Sequence, residues 1–462
     1  MRWARTAVGR TFSSLRVRNY RLFFTGQLVS VSGTWMQQVA QDWLVLQLTG
    51  RAVPLGITTA LQFTPIALFG AWGGLAADRL DKRRLLVAVQ VVSALLALAL
   101  GLLTLFGVVR LWMVYALAFG LGVVFAVDQP TRQAFVTEMV GPEQVPNAVA
   151  LNSALFNSAR VVGPALAGIA IVALGIAPAF LVNAASYLAT LAALAAMDPA
   201  RLHRQAPAER GRGQVRAGLR YVWATPELRG TLLLVAVVGT LGLNYRVALP
   251  LLARFEFSTG PQAYGLMLSV MAAGSVAGAL AVAGRSRPTQ ALLLGSAGAF
   301  GLFTLLGAGA PTLGWELAAL VPVGVTTITF LATANATLQL GSAAVMRGRV
   351  MALYGIVFLG STPLGGLLSG WLAEAYGARA PLWLSGAVSV LAALAGAAWL
   401  RARTRRGAPA RRGARPGGVR APAGRYGGEH GAPDPPAGAA AAGGARGGSV
   451  GPGRGDVPAR RA

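Results

Sequence analysis

Roughly a dozen uncharged stretches rich in Leu, Ala and Val, each about 20 residues long, follow one another along this chain with mostly very short connections. Their length constrains what they can be. A helix of about 20 apolar residues crosses the hydrocarbon of a bilayer, where no water exists to satisfy backbone groups left unpaired. The stretches begin near Leu22, Val53, Leu85, Leu111, Val145, Ile176, Leu228, Ala263, Gln290, Leu313, Val350 and Pro381. They predict an all-α integral membrane protein with twelve transmembrane helices. An apolar content of 55% agrees, because a soluble chain reserves more of its surface for charge.

A formal net charge of +26 would suggest a nucleic-acid partner in a soluble protein, but the location of the arginines excludes that reading. Arg2, Arg5, Arg10, Arg16, Arg18 and Arg21 precede the first span, and Arg79, Lys82, Arg83 and Arg84 fill the connection between spans two and three. The connection between spans six and seven carries Arg201, Arg204, Arg210, Arg212, Arg216, Arg220 and Arg229; the later ones of the same parity carry Arg285, Arg287, Arg347 and Arg349. Connections of opposite parity hold only Arg51, Arg110, Arg254 and Arg379. The positive-inside rule then places both termini in the cytoplasm, in a multi-pass protein of the cytoplasmic membrane. No cleavage-like site follows the first apolar segment, so it is expected to be retained.

Several chemistries are excluded by residue type. The chain has no cysteine, its histidines are His203 and His430 in hydrophilic segments, and its single lysine, Lys82, follows no glycine-rich phosphate loop. No metal and no cofactor are expected, and energy for any active transport must come from a gradient or another subunit.

Hydrophobicity lapses over residues 198–227, leaving six spans on each side: an N-terminal half at 1–197 and a C-terminal half at 228–400, joined by a cytoplasmic linker. Gly163, Gly168 and Gly175 recur as Gly365, Gly370 and Gly377, and Ala150-Leu151 as Ala352-Leu353, all at an offset of 202 residues. This points to duplication. Two repeats around a central cavity are a recurrent transporter design, in which one half rocks against the other. Residues 401–462 are Gly, Pro, Ala and Arg with few large apolar side chains, and are expected to be a disordered basic cytoplasmic tail. The tail is read as solvated, with anionic membrane lipid as the alternative contact.

Between spans two and three the chain reads Gly74-Leu75-Ala76-Ala77-Asp78-Arg79-Leu80-Asp81-Lys82-Arg83-Arg84. This resembles the signature of the major facilitator superfamily: a glycine, Asp-Arg four residues on, then a basic cluster. Asp81 stands where that signature usually has a second glycine. The resemblance implies the major facilitator fold and makes Gly74, Asp78, Arg79 and Arg83 a gating motif, with Asp78 bracing the start of span eleven in one access state. Gly163, Pro164 and Gly168 in span five are similar to the helix-packing motif of exporters of this superfamily, and Pro363 with Gly360, Gly365, Gly366 and Gly370 matches it in span eleven. Asp128 to Val136, Trp43 to Leu46 before Thr49-Gly50, and Arg349 to Gly355 resemble the branch containing the enterobactin exporter and drug or macrolide efflux proteins.

Charge inside hydrocarbon is costly and marks a pathway or a paired site. Asp42, Asp128, Arg160 and Arg246 fall within spans. Gln27, Thr34, Gln38 and Gln41 follow helical spacing with Asp42 alongside, forming one polar stripe that either lines the cavity or bonds neighbouring helices. Asp128 and Arg160 lie at similar depths and form one pair; Arg132, one turn from Asp128, is the competing partner. Arg246, beside Asn244, either lines the cavity from the other half or reaches toward backbone carbonyls. The chain is therefore expected to be a monomeric secondary exporter of a siderophore or drug-like molecule, not an enzyme. Proton antiport would be coupled at Asp42 or, second, Asp128. The alternatives are an importer or facilitator of the same fold and, further off, a non-transporting scaffold or sensor.

Overall fold

The computed structural model describes residues 12–203, 214–283 and 288–407, and these are helical almost throughout, with no strand among them. Six long helices come first: α1 Arg18–Thr49, α2 Val53–Arg79, α3 Lys82–Leu105, α4 Leu111–Val140, α5 Val145–Leu174 and α6 Ile176–Ala195. A short amphipathic helix, α7 Gln214–Ala224, lies in the linker. The second set is α8 Pro226–Leu241, α9 Tyr245–Leu251, α10 Pro261–Ala283, α11 Gln290–Ala308, α12 Leu313–Leu340, α13 Ala344–Tyr376 and α14 Ala380–Gly407. Helix α9 runs into a wider π turn at Leu252–Glu256, and α8, α9 and that turn together form the seventh crossing.

Eleven crossings among the described residues are long and apolar enough to span a bilayer. The remaining one, α1, has 32 residues, but Gln27, Gln37, Gln38, Gln41 and Asp42 interrupt its apolar character. The last helix continues to Gly407, past Arg401, because arginines are good helix formers where they reach water. The tail beyond it, 408–462, lies outside the described residues, as do 1–11, 204–213 and 284–287 with the arginines they contain.

The repeated glycines do the same work in each half. Helices α5 and α13 both stop at a glycine with positive φ, Gly175 at 87° and Gly377 at 94°, a region other residues rarely enter. One turn or two earlier, a helix of the opposite half comes too close for a side chain. A β-carbon on Gly168 would lie 2.8 Å from Gln262 Cα, and one on Gly370 would lie 3.2 Å from Gly56 Cα. The α5–α10 and α2–α13 contacts are therefore equivalent, and both are of the small-residue kind that lets helices associate in lipid.

The two halves meet at one end only. An apolar cluster that includes Trp43, Leu55 and Ile171 from the first half and Tyr245, Met267 and Ala373 from the second runs across them at the Thr49 end of α1. At the arginine-rich end the clusters are separate: Tyr20, Phe135 and Leu194 belong to the first half, Val222, Leu338 and Val350 to the second. Gly348, Gly355 and Gly360, on the arginine-rich part of α13, face open space.

Candidate functional site

The seventh crossing is broken at Gly242–Asn244, where Asn244 turns its Nδ2 back to the Thr240 carbonyl at 2.7 Å, and the helix restarts as α9 at Tyr245. Arg246 leaves the first turn of α9 and crosses to the other half. Its Nε and Nη2 donate to Oδ2 and Oδ1 of Asp42 on α1, both at 3.1 Å, a forked geometry that suits a carboxylate. Nη2 also donates to Gln62 of α2 at 2.7 Å, and the guanidinium lies over the Phe63 ring at 5.7 Å. Tyr264 of α10 donates its hydroxyl to Asp42 Oδ2 at 2.8 Å. With its amide oxygen turned toward the guanidinium, Gln38 accepts from Nε at 3.0 Å. Asp42 is fully buried and the Arg246 side chain is 13% exposed. About 10 Å of helix separates Asp42 from the Thr49 end, so the network closes the end at which the halves meet.

A second clamp lies further out. Glu374 of α13 accepts from Arg51 Nε and from the Val53 backbone N–H, each at 2.9 Å, so one carboxylate binds the start of α2 and the turn before it. Negative charge at a helix N-terminus is favourable in itself.

Asp128 and Arg160 do not pair, which corrects one reading of the sequence. Asp128 is bonded to Arg132 one turn along α4; Arg132 also donates to Gln27 of α1, and Gln90 of α3 donates to Asp128 Oδ1 at 3.4 Å. Similar depth was not enough, because depth says nothing about which way a side chain points around its helix. Arg160 faces the other half, where Nη2 donates to Ser275 Oγ of α10 at 3.2 Å. Among the described residues no carboxylate lies within ion-pair distance of it.

The polar stripe of α1 is engaged between helices in this state rather than lining open space. Gln27 takes Arg132, Thr34 meets the Tyr187 hydroxyl at 3.4 Å, and Gln38 and Asp42 take Arg246. Gln41 is 2% exposed and its Nε2 has no partner. Pro164 turns its carbonyl toward Gly265 of α10, and Gly163 packs on Trp35 of α1.

At the arginine-rich end, Gly74 and Asp78 occupy the last turns of α2 and Arg79 ends it exposed to water. Asp81 has φ −62° and ψ 113°, extended backbone open to any residue, and its carboxylate caps α3 by accepting from Arg84 N–H at 2.9 Å. The absent second glycine is therefore no defect. Arg83 donates to the Leu194 carbonyl at 2.8 Å, and Lys82 pairs with Glu138 at 2.7 Å, so the basic turn is knotted into the first half. No group of acids and histidines among the described residues could hold a metal ion.

Tyr264 and Gln62 were not singled out in the sequence, since neither carries charge and nothing in their spacing marks them. Glu316 was also passed over, because it falls at the start of a span where acids are common.

Comparison with known proteins gives a consistent family. A family model described as a transmembrane secretion effector matches residues 9–410. The staphyloferrin A transporter of Staphylococcus aureus is 27% identical over 258 residues, 55% of this chain and 64% of that protein, just under two thirds of its length. The multidrug efflux pump Tap of Mycolicibacterium fortuitum is 29% identical over 387 residues, covering 80% of this chain and 94% of the pump. Among solved structures, a bacterial homologue of the iron transporter ferroportin in an inward-facing state superimposes with a TM-score of 0.65 at 15% identity, covering 83% of this chain and 98% of that one.

Proposed function

The chain belongs to the transmembrane secretion effectors of the major facilitator superfamily, and from that premise we propose that it is a secondary exporter of a small organic molecule, driven by proton antiport. It is a multi-pass membrane transporter, not an enzyme. Export, rather than uptake, is supported by its likeness to a multidrug efflux pump over most of both chains. The cargo class remains that of the relatives, siderophore or drug-like compound, handled by one monomer in the cytoplasmic membrane with both termini inside.

The observation that carries the mechanism is the Asp42–Arg246 pair, one member from each half. With the positive-inside orientation, the joined end is external and the parted end cytoplasmic, so this state admits cargo from inside. Turning outward separates the halves at their external end and takes Arg246 from Asp42. A carboxylate left unpaired there takes up a proton, and closing the end again on Arg246 expels it. Proton uptake outside and release inside then accompany each cycle. Asp78, at the cytoplasmic end of α2, is the bracing residue of the opposite state, when the parted end closes.

Everted membrane vesicles test this reading. Inward-directed accumulation of a radiolabelled siderophore or drug from a panel, abolished by collapsing the proton gradient, supports proton-coupled export. Accumulation in right-side-out vesicles alone would make the protein an importer.

A further inference from the structure

Two carboxylates and one cation meet at the joined end of the second half, away from Asp42. Arg379, in the turn before α14, pairs through Nε with Glu256 at 2.8 Å and donates to the carbonyls of Ala308 at 3.3 Å and Ala310 at 2.7 Å, where α11 ends. Glu316, in the first turn of α12, packs on the same end of α11. It is 1% exposed, and a β-carbon on Gly307 would lie 2.8 Å from its Oε2. That oxygen has no hydrogen-bond partner, and among the described residues no cation lies within ion-pair distance of the carboxylate.

The charged and titratable groups around Glu316 are few. Arg379 is the cation whose charge reaches it, and Arg379 is already paired with Glu256. The hydroxyl of Tyr245 of α9 is bonded to Thr304 at 2.6 Å. Helices α10 and α11, packed against α12, contain no charged side chain, and the tyrosine of α10, Tyr264, is committed to Asp42.

Glu256, whose side chain is 33% exposed, holds Arg379, and the buried Glu316 is left without a counter-charge of its own. An unpaired carboxylate in a low-dielectric interior is among the costliest groups to keep ionised, and the N-terminus of α12 offers an anion less than a paired cation does. We propose that Glu316 is a proton-binding site: in this state it is a neutral carboxylic acid, and it pairs with Arg379 only on giving up that proton. Arg379 is then an exchangeable partner, held by Glu256 while Glu316 is protonated and drawn to Glu316 when it is not. The event is a single proton gained or lost at one carboxylate, with no other bond made or broken. It requires neither a known cargo nor a known direction of transport.

The test uses the full chain in lipid nanodiscs at neutral pH. Infrared difference spectra of wild type minus Glu316→Gln should show a protonated-carboxyl C=O band that the variant lacks, and the variant should melt with the wild type because an amide replaces a neutral acid. Glu256→Gln releases Arg379 to Glu316 and should remove the same band, while adding Arg379→Gln to it should bring the band back. No difference band, or a large drop in melting temperature in Glu316→Gln, would show an ionised and paired Glu316 and overturn the proposal. A band that survives in Glu256→Gln would overturn the exchange of Arg379.

Discussion

Replacing Asp42 by asparagine keeps the shape of the side chain and removes its charge, which mimics the protonated state on which the proposed cycle depends. Breaking one side of a buried ion pair costs about 3–5 kcal/mol. The low end, about 3 kcal/mol, applies here, because Arg246 keeps Gln62 and some exposure and Tyr264 keeps an oxygen to donate to. The pair bridges the halves and exists only while that end is closed, so the whole loss falls on the closed state. At about 1.4 kcal/mol per factor of ten, the closed-to-open ratio should fall about 100-fold. Nitroxides at Leu48 of α1 and Phe255 of the second half, both exposed near the joined end, report the opening by double electron–electron resonance. Since the chain has no cysteine, two introduced ones are labelled alone. The long-distance population should rise about 100-fold relative to the short-distance one in Asp42→Asn, and Arg246→Gln should move it the same way. A distance distribution unchanged from wild type in both variants would refute the clamp.

Three further outcomes are expected. Asp128→Asn and Arg132→Gln should each destabilise the purified protein by about 3 kcal/mol while the double variant regains most of it, whereas Asp128→Asn/Arg160→Gln should show no such recovery, as thermal melts will tell. Gly370→Val places a side chain where Gly56 leaves no room, so it should weaken the α2–α13 contact and raise thiol labelling of a cysteine at Leu48, and unchanged labelling would count against close packing as the reason for that glycine. Cysteines placed singly at Gln214 and Ala440 should resist an impermeant thiol reagent in intact cells, and labelling of either would reverse the orientation on which external and cytoplasmic have been assigned.

The spans were legible because bilayer thickness fixes helix length, and α2, α4, α5, α6, α11 and α12 begin at the residues expected: Val53, Leu111, Val145, Ile176, Gln290 and Leu313. Starts were placed too late where a helix runs on into charged residues, as α3 does from Lys82 and α13 from Ala344. Hydropathy ends at the membrane surface, but hydrogen bonding along a helix does not. The break at Gly242–Asn244 stayed hidden because one glycine and one asparagine in an apolar run look like ordinary span residues. Asp42 and Arg246 were each visible as charges in hydrocarbon, yet their pairing was not, since no sequence pattern relates helices 204 residues apart. Asp128 and Arg132 were the opposite case, in which spacing of four along one helix made the pair readable.

The placement of paired and unpaired charge also bears on how one sequence can hold two arrangements of similar energy. Moving a two-state equilibrium from one side to the other takes roughly 5.5 kcal/mol of differential interaction, no more than one or two buried ion pairs can supply. Within the first half, Asp128, Arg132, Gln27 and Gln90 bond to one another without help from the second, so that knot survives any rocking and favours neither state. Asp42 and Arg246 lie on opposite halves, so their pair favours the state in which the joined end is closed. Among the described residues Arg160 faces the opposite half with one serine and no acid, and Glu316 has an oxygen without a partner. If every charge found its partner here, this state would be a trap. Leaving Arg160 and Glu316 short of counter-charge lets proton transfer, bound cargo or the other arrangement offset the loss of the Asp42 clamp, which is what repeated turnover requires.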